Sequence, residues 1–142
     1  MGSDWVRLAR EVITGRRNVT IESTIGGYVA ADGSPMGRPL IMVGVVNAGK
    51  PLVRVTGAAL TLNSGGVIPF VLSRADMPLL PRVLTETEEH VFVMDLDQCI
   101  RFLRSETPPM RLQNVVIYTT TGNVRKRVSQ TLQTAEEAWV PR

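Results

Sequence analysis

The stretch VGVVNAGKPLVRVTGAALTL, from Val43 to Leu62, decides the fold class. Two runs of valine and other β-forming residues flank the short segment 47–51, Asn-Ala-Gly-Lys-Pro. Asn and Gly tolerate positive φ and Pro restricts the backbone, so the segment predicts the turn of a hairpin between two strands. It lacks the Lys-Ser pair of a phosphate loop and leads into a strand rather than a helix, which argues against nucleotide binding.

Apolar or alternating runs recur on both sides of this stretch, separated by turns rich in Gly, Pro and Asn. They predict about seven strands, including Leu112 to Thr120, with Val115 and Ile117 facing inward, and a last strand from Val124 to Leu132. The segment from Ser73 to Arg82 is expected to be an extended crossing loop. Helical spacing of apolar residues instead predicts helices at Asp4 to Thr14 and Asp97 to Arg104. The prediction is a mainly β antiparallel sandwich with an N-terminal helix and one short crossover helix.

The size and composition fit one folded domain. The chain has 142 residues, of which 44% are hydrophobic and 20% charged, enough for a hydrophobic core. We expect an N-terminal helix in residues 1–16, the sandwich domain in residues 17–133 and a C-terminal tail in residues 134–142. The sequence has no run long enough to span a membrane, no secretory h-region and a single cysteine. A cytoplasmic location is therefore expected, and the oligomeric state is left open.

Three stretches carry a resemblance to a known family: the opening one, LPRVLTETEEHVFVMDLDQCIRFLRS (residues 80–105) and VVIYTTTGNVRKR (residues 115–127). Together they give a strand, an Asn-x-Gly turn, a strand, a helix entered through Asp-Leu-Asp and a basic strand after Thr-Gly. This order resembles small immunoglobulin-like β-sandwich domains of uncharacterised bacterial and phage proteins. The resemblance covers about residues 40–127. It implies a fold and carries over no catalytic residues.

Few residues are suited to catalysis. The only histidine, His90, could pair with Cys99, but Cys99 lies on the apolar stripe of the predicted helix, where cysteine usually acts as a small apolar group. Asp95 and Asp97 could bind a metal ion as part of an enzyme. The same acids are what a helix start favours, because its free N–H groups and dipole attract negative charge. The expectation is a chain without enzymatic activity and without a cofactor.

The net charge of +3 permits an anionic partner without requiring one. If the chain has a binding site, the sequence favours a basic strip formed by Arg101, Arg104, Arg125, Lys126 and Arg127. The alternative is that basic residues of an edge strand only prevent sheet-to-sheet aggregation. The leading hypothesis is a non-catalytic protein-interaction or structural module whose partner is another protein. Nucleic-acid binding through the strip and a metal-dependent enzyme with Asp95 and Asp97 are the alternatives.

Overall fold

The computed structural model describes residues 18–141, so the helix predicted within residues 1–16 lies outside the described residues. Within this range there are nine strands: β1 (Val19–Val29), β2 (Pro35–Asn47), β3 (Val53–Leu62), β4 (Val67–Pro69), β5 (Leu72–Ser73), β6 (Arg82–Leu84), β7 (Glu89–Asp95), β8 (Leu112–Thr119) and β9 (Gly122–Arg127). The two helices described are α1 (Leu96–Ser105) and α2 (Gln130–Ala138). The mainly β prediction is confirmed. The sequence predicted about seven strands. Three of the nine strands in the described residues, β4, β5 and β6, are only two or three residues long.

The strands form two antiparallel sheets. The first sheet has the order β1-β2-β7-β5, and the second has the order β4-β3-β8-β9 with β6 also paired to β3. Strands β2 and β3 therefore belong to different sheets, and the hairpin predicted at residues 47–51 is wrong. This segment carries the chain from one sheet to the other.

Asn47 explains why the segment crosses instead of turning back. Its side chain is fully buried, and its amide group donates to the carbonyl oxygens of Leu84 at 2.9 Å and Pro51 at 2.8 Å. Its Oδ1 accepts the N–H of Gly49 at 3.0 Å. Leu84 lies in the second sheet, so one side chain joins the end of β2 to the neighbouring sheet. A Cβ at position 49 would lie 2.7 Å from the Asn18 side chain, which requires glycine there.

One buried cluster contains side chains from both sheets and both helices. It includes Val43 of β2, Leu60 of β3, Ile100 of α1 and Leu132 of α2, all at least 99% buried. Period-2 alternation sends the apolar residues of β2 and β8 into this core. Val115 and Ile117 belong to the cluster, which confirms their predicted inward orientation.

The two sheets are connected at two places. On one side, Lys126 Nζ of β9 donates to the carbonyl oxygen of Ile21 in β1 at 2.7 Å, and the N–H of Ser129 donates to Ser23 Oγ at 2.9 Å. The second connection is made by residues 67–84, which we call the crossing segment. Its β4 and β6 pair with β3 and its β5 pairs with β7. Contacts within the chain therefore occupy part of these sheet edges, which makes strand addition there less favourable.

Both helices contribute side chains to the buried core. Helix α1 begins one residue before the predicted start, and Asp95 caps it because its Oδ1 accepts the N–H of Gln98 at 2.9 Å. The end of the chain differs from the prediction: the last strand stops at Arg127 instead of Leu132, and α2 occupies the start of the expected tail. Val128, Leu132 and Glu136 are buried at a spacing of four residues, which is a helical period.

Candidate interaction surface

The predicted basic residues lie in three places and do not line one strip. Arg101 and Arg104 of α1 lie beside Trp139, with their Cζ atoms 5.9 Å and 5.2 Å from the centre of its ring. Arg104 also donates to the carbonyl oxygens of Glu136 at 2.8 Å and Trp139 at 3.0 Å. A cation at the last carbonyls of a helix stabilises that end, so Arg104 joins α1 to the end of α2.

The three basic residues of β9 divide between its two faces. Lys126 pairs with the inward-facing Val115 and reaches the backbone of β1. Arg125 and Arg127 are exposed on the opposite face. These two guanidinium groups therefore share one exposed face of β9, and binding by the basic residues stays a prediction.

Asp95 and Asp97 serve different partners. Asp95 caps α1 and lies 3.8 Å from a guanidinium nitrogen of Arg38, whereas Asp97 is buried and its Oδ1 accepts the Nε1–H of Trp139 at 2.8 Å. Among residues 18–141 no group of three or more His, Cys, Asp or Glu side chains is placed to hold a metal ion. The two carboxylates are thus used in helix capping and helix docking.

His90 and Cys99 each lie in the core with other neighbours. Burial raises the pKa of the Cys99 thiol to about 12, and the charges of Glu136 and Asp95 add to this effect, so the thiol stays protonated at neutral pH. His90 is fully buried, and its two ring nitrogens have partners other than Cys99: Nε2 lies 2.7 Å from Ser73 Oγ, and Nδ1 lies 3.3 Å from Nη1 of Arg82.

The Arg82 contact fixes the tautomer of His90. An arginine side chain can only donate, so Nδ1 must be the acceptor and Nε2 must carry the proton. That proton is then donated to Ser73 Oγ. Burial lowers the pKa of His90, and the charge of Arg82 lowers it further. An activated serine would instead give its proton to a basic nitrogen, so this arrangement is the reverse of a catalytic pair.

A groove of about 230 Å³ lies between α1, residues 109–111 and α2. Its charged groups already have partners. Glu136 Oε2 accepts the N–H of Leu112 at 3.1 Å, and Arg111 lies 3.6 Å from Glu137. Burial raises the pKa of Glu136, while this hydrogen bond and the nearby arginines oppose the effect. The charged groups of the groove therefore take part in contacts that hold α2 against the start of β8.

The crossing segment is where apolar side chains are exposed. Among the described residues eight large hydrophobic side chains are exposed, and five of them lie between positions 67 and 83: Val67, Val71, Leu72, Leu79 and Val83. Leu79 is 90% exposed and Val71 84%. Single exposed apolar residues are normal, whereas concentration in one segment is a feature of interaction sites.

The sequence predicted an extended loop from Ser73 to Arg82, but it did not predict which side chains of the crossing segment are exposed. Three prolines, Pro69, Pro78 and Pro81, interrupt it, so no alternation or helical period shows which side chains face out. The register supplies that information. Leu72 pairs with Val93 and is 63% exposed, while the next residue, Ser73, turns its hydroxyl to the buried His90.

Comparison with protein-family models, curated proteins and solved structures gives no match for this chain. The resemblance to immunoglobulin-like domains therefore stays a prediction. Among residues 18–141, neither helix has the length and apolar character needed to cross a membrane.

Proposed function

We propose that this chain is a non-catalytic protein-interaction module with an immunoglobulin-like sandwich fold, and that its partner docks on the crossing segment. The observation that carries this proposal is the grouping of five exposed aliphatic side chains within residues 67–83. Burying each of them at an interface would contribute about 1.5–3 kcal/mol of transfer free energy before the cost of association.

The way the sheets are bridged supports docking through side chains. A partner that adds a strand needs an open sheet edge, and contacts from Lys126 and Ser129 already occupy part of the β1 edge. The crossing segment itself has short strands, and five of its aliphatic side chains are exposed. Shape and apolar contact, rather than main-chain pairing, would therefore select the partner.

A protein surface fits this segment better than a lipid surface or a nucleic acid. Interfacial membrane anchors are rich in exposed aromatic and basic residues, whereas Phe70, the only aromatic residue of the segment, is buried. Arg74 is already paired with Asp76 at 2.6 Å. Aliphatic groups with few free charges match the apolar centre of a protein interface.

Matched charge substitutions test this proposal. A double variant, Leu72→Asp with Leu79→Asp, places carboxylates within the proposed surface, and Leu52→Asp is the control because Leu52 is 66% exposed outside the segment. A partner isolated from the native host with the wild-type chain would then be purified and titrated by calorimetry. The double variant should weaken binding by about tenfold or more, since buried contacts at an interface centre are worth 1–2 kcal/mol or more each, and the control should bind as wild type.

Equal affinity for the double variant and the wild type would refute the proposed surface. Binding of the wild type to vesicles of neutral lipid, lost in the double variant, would replace the protein partner by a membrane. Circular dichroism and a denaturation curve for each variant would show that the substitutions leave the fold intact.

Arg125 and Arg127 are the observation that favours the second candidate, an anionic partner, because both are exposed on one face of β9. Binding of a nucleic acid there should weaken steeply with salt. Affinity for single- and double-stranded nucleic acid would be measured at two salt concentrations with the wild type and with Arg125→Ala/Arg127→Ala. No binding at low salt would eliminate this candidate.

A further inference from the structure

His90 lies directly beneath the crossing segment and touches two of its strands. Its Nε2 lies 2.7 Å from Ser73 Oγ of β5, and its Nδ1 lies 3.3 Å from Arg82 Nη1 of β6. Because β5 belongs to the first sheet and β6 to the second, one imidazole ring contacts two parts of the crossing segment that pair with different sheets. We propose that His90 is a proton-operated latch: when it is neutral it holds the crossing segment closed, and when it is protonated it releases the segment.

The groups around His90 favour the neutral imidazole over the imidazolium. Arg82 is the only charged side chain with a described contact to the ring, and it is held in place by its hydrogen bond to the carbonyl oxygen of Glu89 at 2.6 Å and its ion pair with Glu88 at 3.5 Å. From β5 comes the uncharged Ser73, and the register places the apolar Val45 of β2 opposite His90. Phe92 packs its ring 4.8 Å from the imidazole centre.

The carboxylates nearby are turned to other partners. Glu88 also accepts from the N–H of Thr85 at 2.7 Å, and the Glu89 carboxylate lies over Gly44 on the other face of the sheet. Arg74, which follows β5, is paired with Asp76. Among residues 18–141, no carboxylate forms a hydrogen bond or ion pair with the His90 ring that could neutralise an imidazolium.

Protonation would add a hydrogen to Nδ1, the atom that accepts from Arg82. Two donors would then face each other across 3.3 Å, and both would be cations. A buried pair of like charges is relieved by separation and hydration. Moving β5 and β6 off the ring would relieve it, and this movement would displace Leu72 and Val83 from their positions in the docking surface.

The direction of the pH effect follows from the pKa of His90, which burial and the charge of Arg82 lower from its usual value of 6.5. The closed form is fully stabilised above about pH 6.5 and loses stability as the pH falls through the lowered pKa. This inference rests on the proposed function only in the claim that opening alters partner binding. The opening itself is a separate property of the fold.

Hydrogen exchange by NMR tests the latch. The reporters are the amides of Arg74, which donates to Val91 O at 2.8 Å, and Phe70, which donates to Ala58 O at 2.9 Å. Between about pH 6.5, the usual pKa that His90 regains in the open form, and its lowered pKa in the closed form, their protection factors should fall by up to about tenfold per pH unit, because one proton is linked to opening. Below the lowered pKa the protection factors should level off, since both forms are then protonated. Protection in β8 and β9 should change far less. In His90→Gln, which cannot acquire the charge, protection of the two reporters should be independent of pH.

A second variant and a direct titration keep the test decisive if His90→Gln folds poorly. Because His90 is the only histidine, its imidazole gives one set of NMR signals, which should show the Nε2–H tautomer at neutral pH. Arg82→Gln keeps a donor to Nδ1 but removes the cation, so the pKa of His90 should rise and acid-induced opening should diminish.

Three results would overturn the latch: the Nδ1–H tautomer at neutral pH, equal acid sensitivity in His90→Gln, or simultaneous loss of protection in all strands. Failure of the proposed function has a different signature. The acid-induced opening would persist, while the affinity of the partner would be the same for the wild type and for the Leu72→Asp/Leu79→Asp variant.

Discussion

Replacing Asn47 should reveal how strongly one polar side chain joins the two sheets. Asn47→Ala removes the donors to Leu84 and Pro51 and the acceptor for Gly49. A typical hydrogen bond contributes about 0.5–1.5 kcal/mol net, so the three together predict a loss of about 1.5–4.5 kcal/mol in the free energy of unfolding. Urea denaturation followed by circular dichroism measures it.

Asn47→Asp separates the hydrogen bonds from packing, because the two side chains have nearly the same size. The introduced carboxylate still accepts from Gly49 but meets the carbonyl oxygens of Leu84 and Pro51 with lone pairs instead of N–H groups. We expect a loss at pH 7 at least as large as that of Asn47→Ala, since a buried charge without suitable partners is costly.

The pH dependence of this variant has a defined sign. Burial should raise the pKa of the introduced carboxyl in the native state above its unfolded value of about 3.9. The native state then holds the proton more tightly, so the deficit relative to wild type should shrink as the pH falls towards 4 and grow as it rises. Asn123→Asp, at an exposed position of β9, is the control and should change stability by less than about 0.5 kcal/mol.

Either of two outcomes would refute the reasoning. Wild-type stability of Asn47→Asp at pH 7 would mean that the amide does not donate to the two carbonyl groups. A loss in Asn47→Ala no larger than that of the control would mean that residues 47–51 cross between the sheets without this side chain.

Three further predictions concern the core and the end of the chain. Ile117→Ala should cost about 2–5 kcal/mol in a denaturation experiment, because the side chain is fully buried; an unchanged midpoint would contradict its place in the core. Trp139→Ala should cost about 3–5 kcal/mol and release α2, seen as lost protection of its amides in hydrogen exchange, whereas retained protection would show that Trp139 does not hold the helix. Cys99, buried and with a pKa of about 12, should react with a thiol reagent at pH 8 only as fast as the protein unfolds, and rapid labelling of the native protein would show that the thiol is accessible.

Sequence patterns were sufficient for elements with a clear period. Strand β8 was predicted at Leu112 to Thr120 and ends one residue earlier, and the predicted helix from Asp97 to Arg104 is one residue longer at each end. Period and capping are local properties, since each depends on residues within one or two turns or pleats. These predictions therefore needed no knowledge of the rest of the chain.

The same patterns did not predict which sheet each strand belongs to. The apolar runs of the opening stretch indicate two buried strands, but they do not show which strand each of them pairs with. A turn with Asn, Gly and Pro fits a hairpin and a crossing between sheets equally well. What decides between them here is the contact of Asn47 with Leu84, which is 37 residues away.

Long-range contacts also explain why the basic residues that were predicted to form one binding site lie apart in the structure. Lys126 donates to a carbonyl group 105 residues away, Arg104 binds the end of α2 over 35 residues, and Asp97 accepts from Trp139 over 42. Each of these polar side chains joins two elements that are distant in sequence, so each resembled a functional group while serving the fold. A binding surface must instead be sought where side chains are not used by the fold. In this chain the exposed aliphatic groups of the crossing segment meet that condition, which is why an apolar surface, and not the basic residues, carries the proposed function.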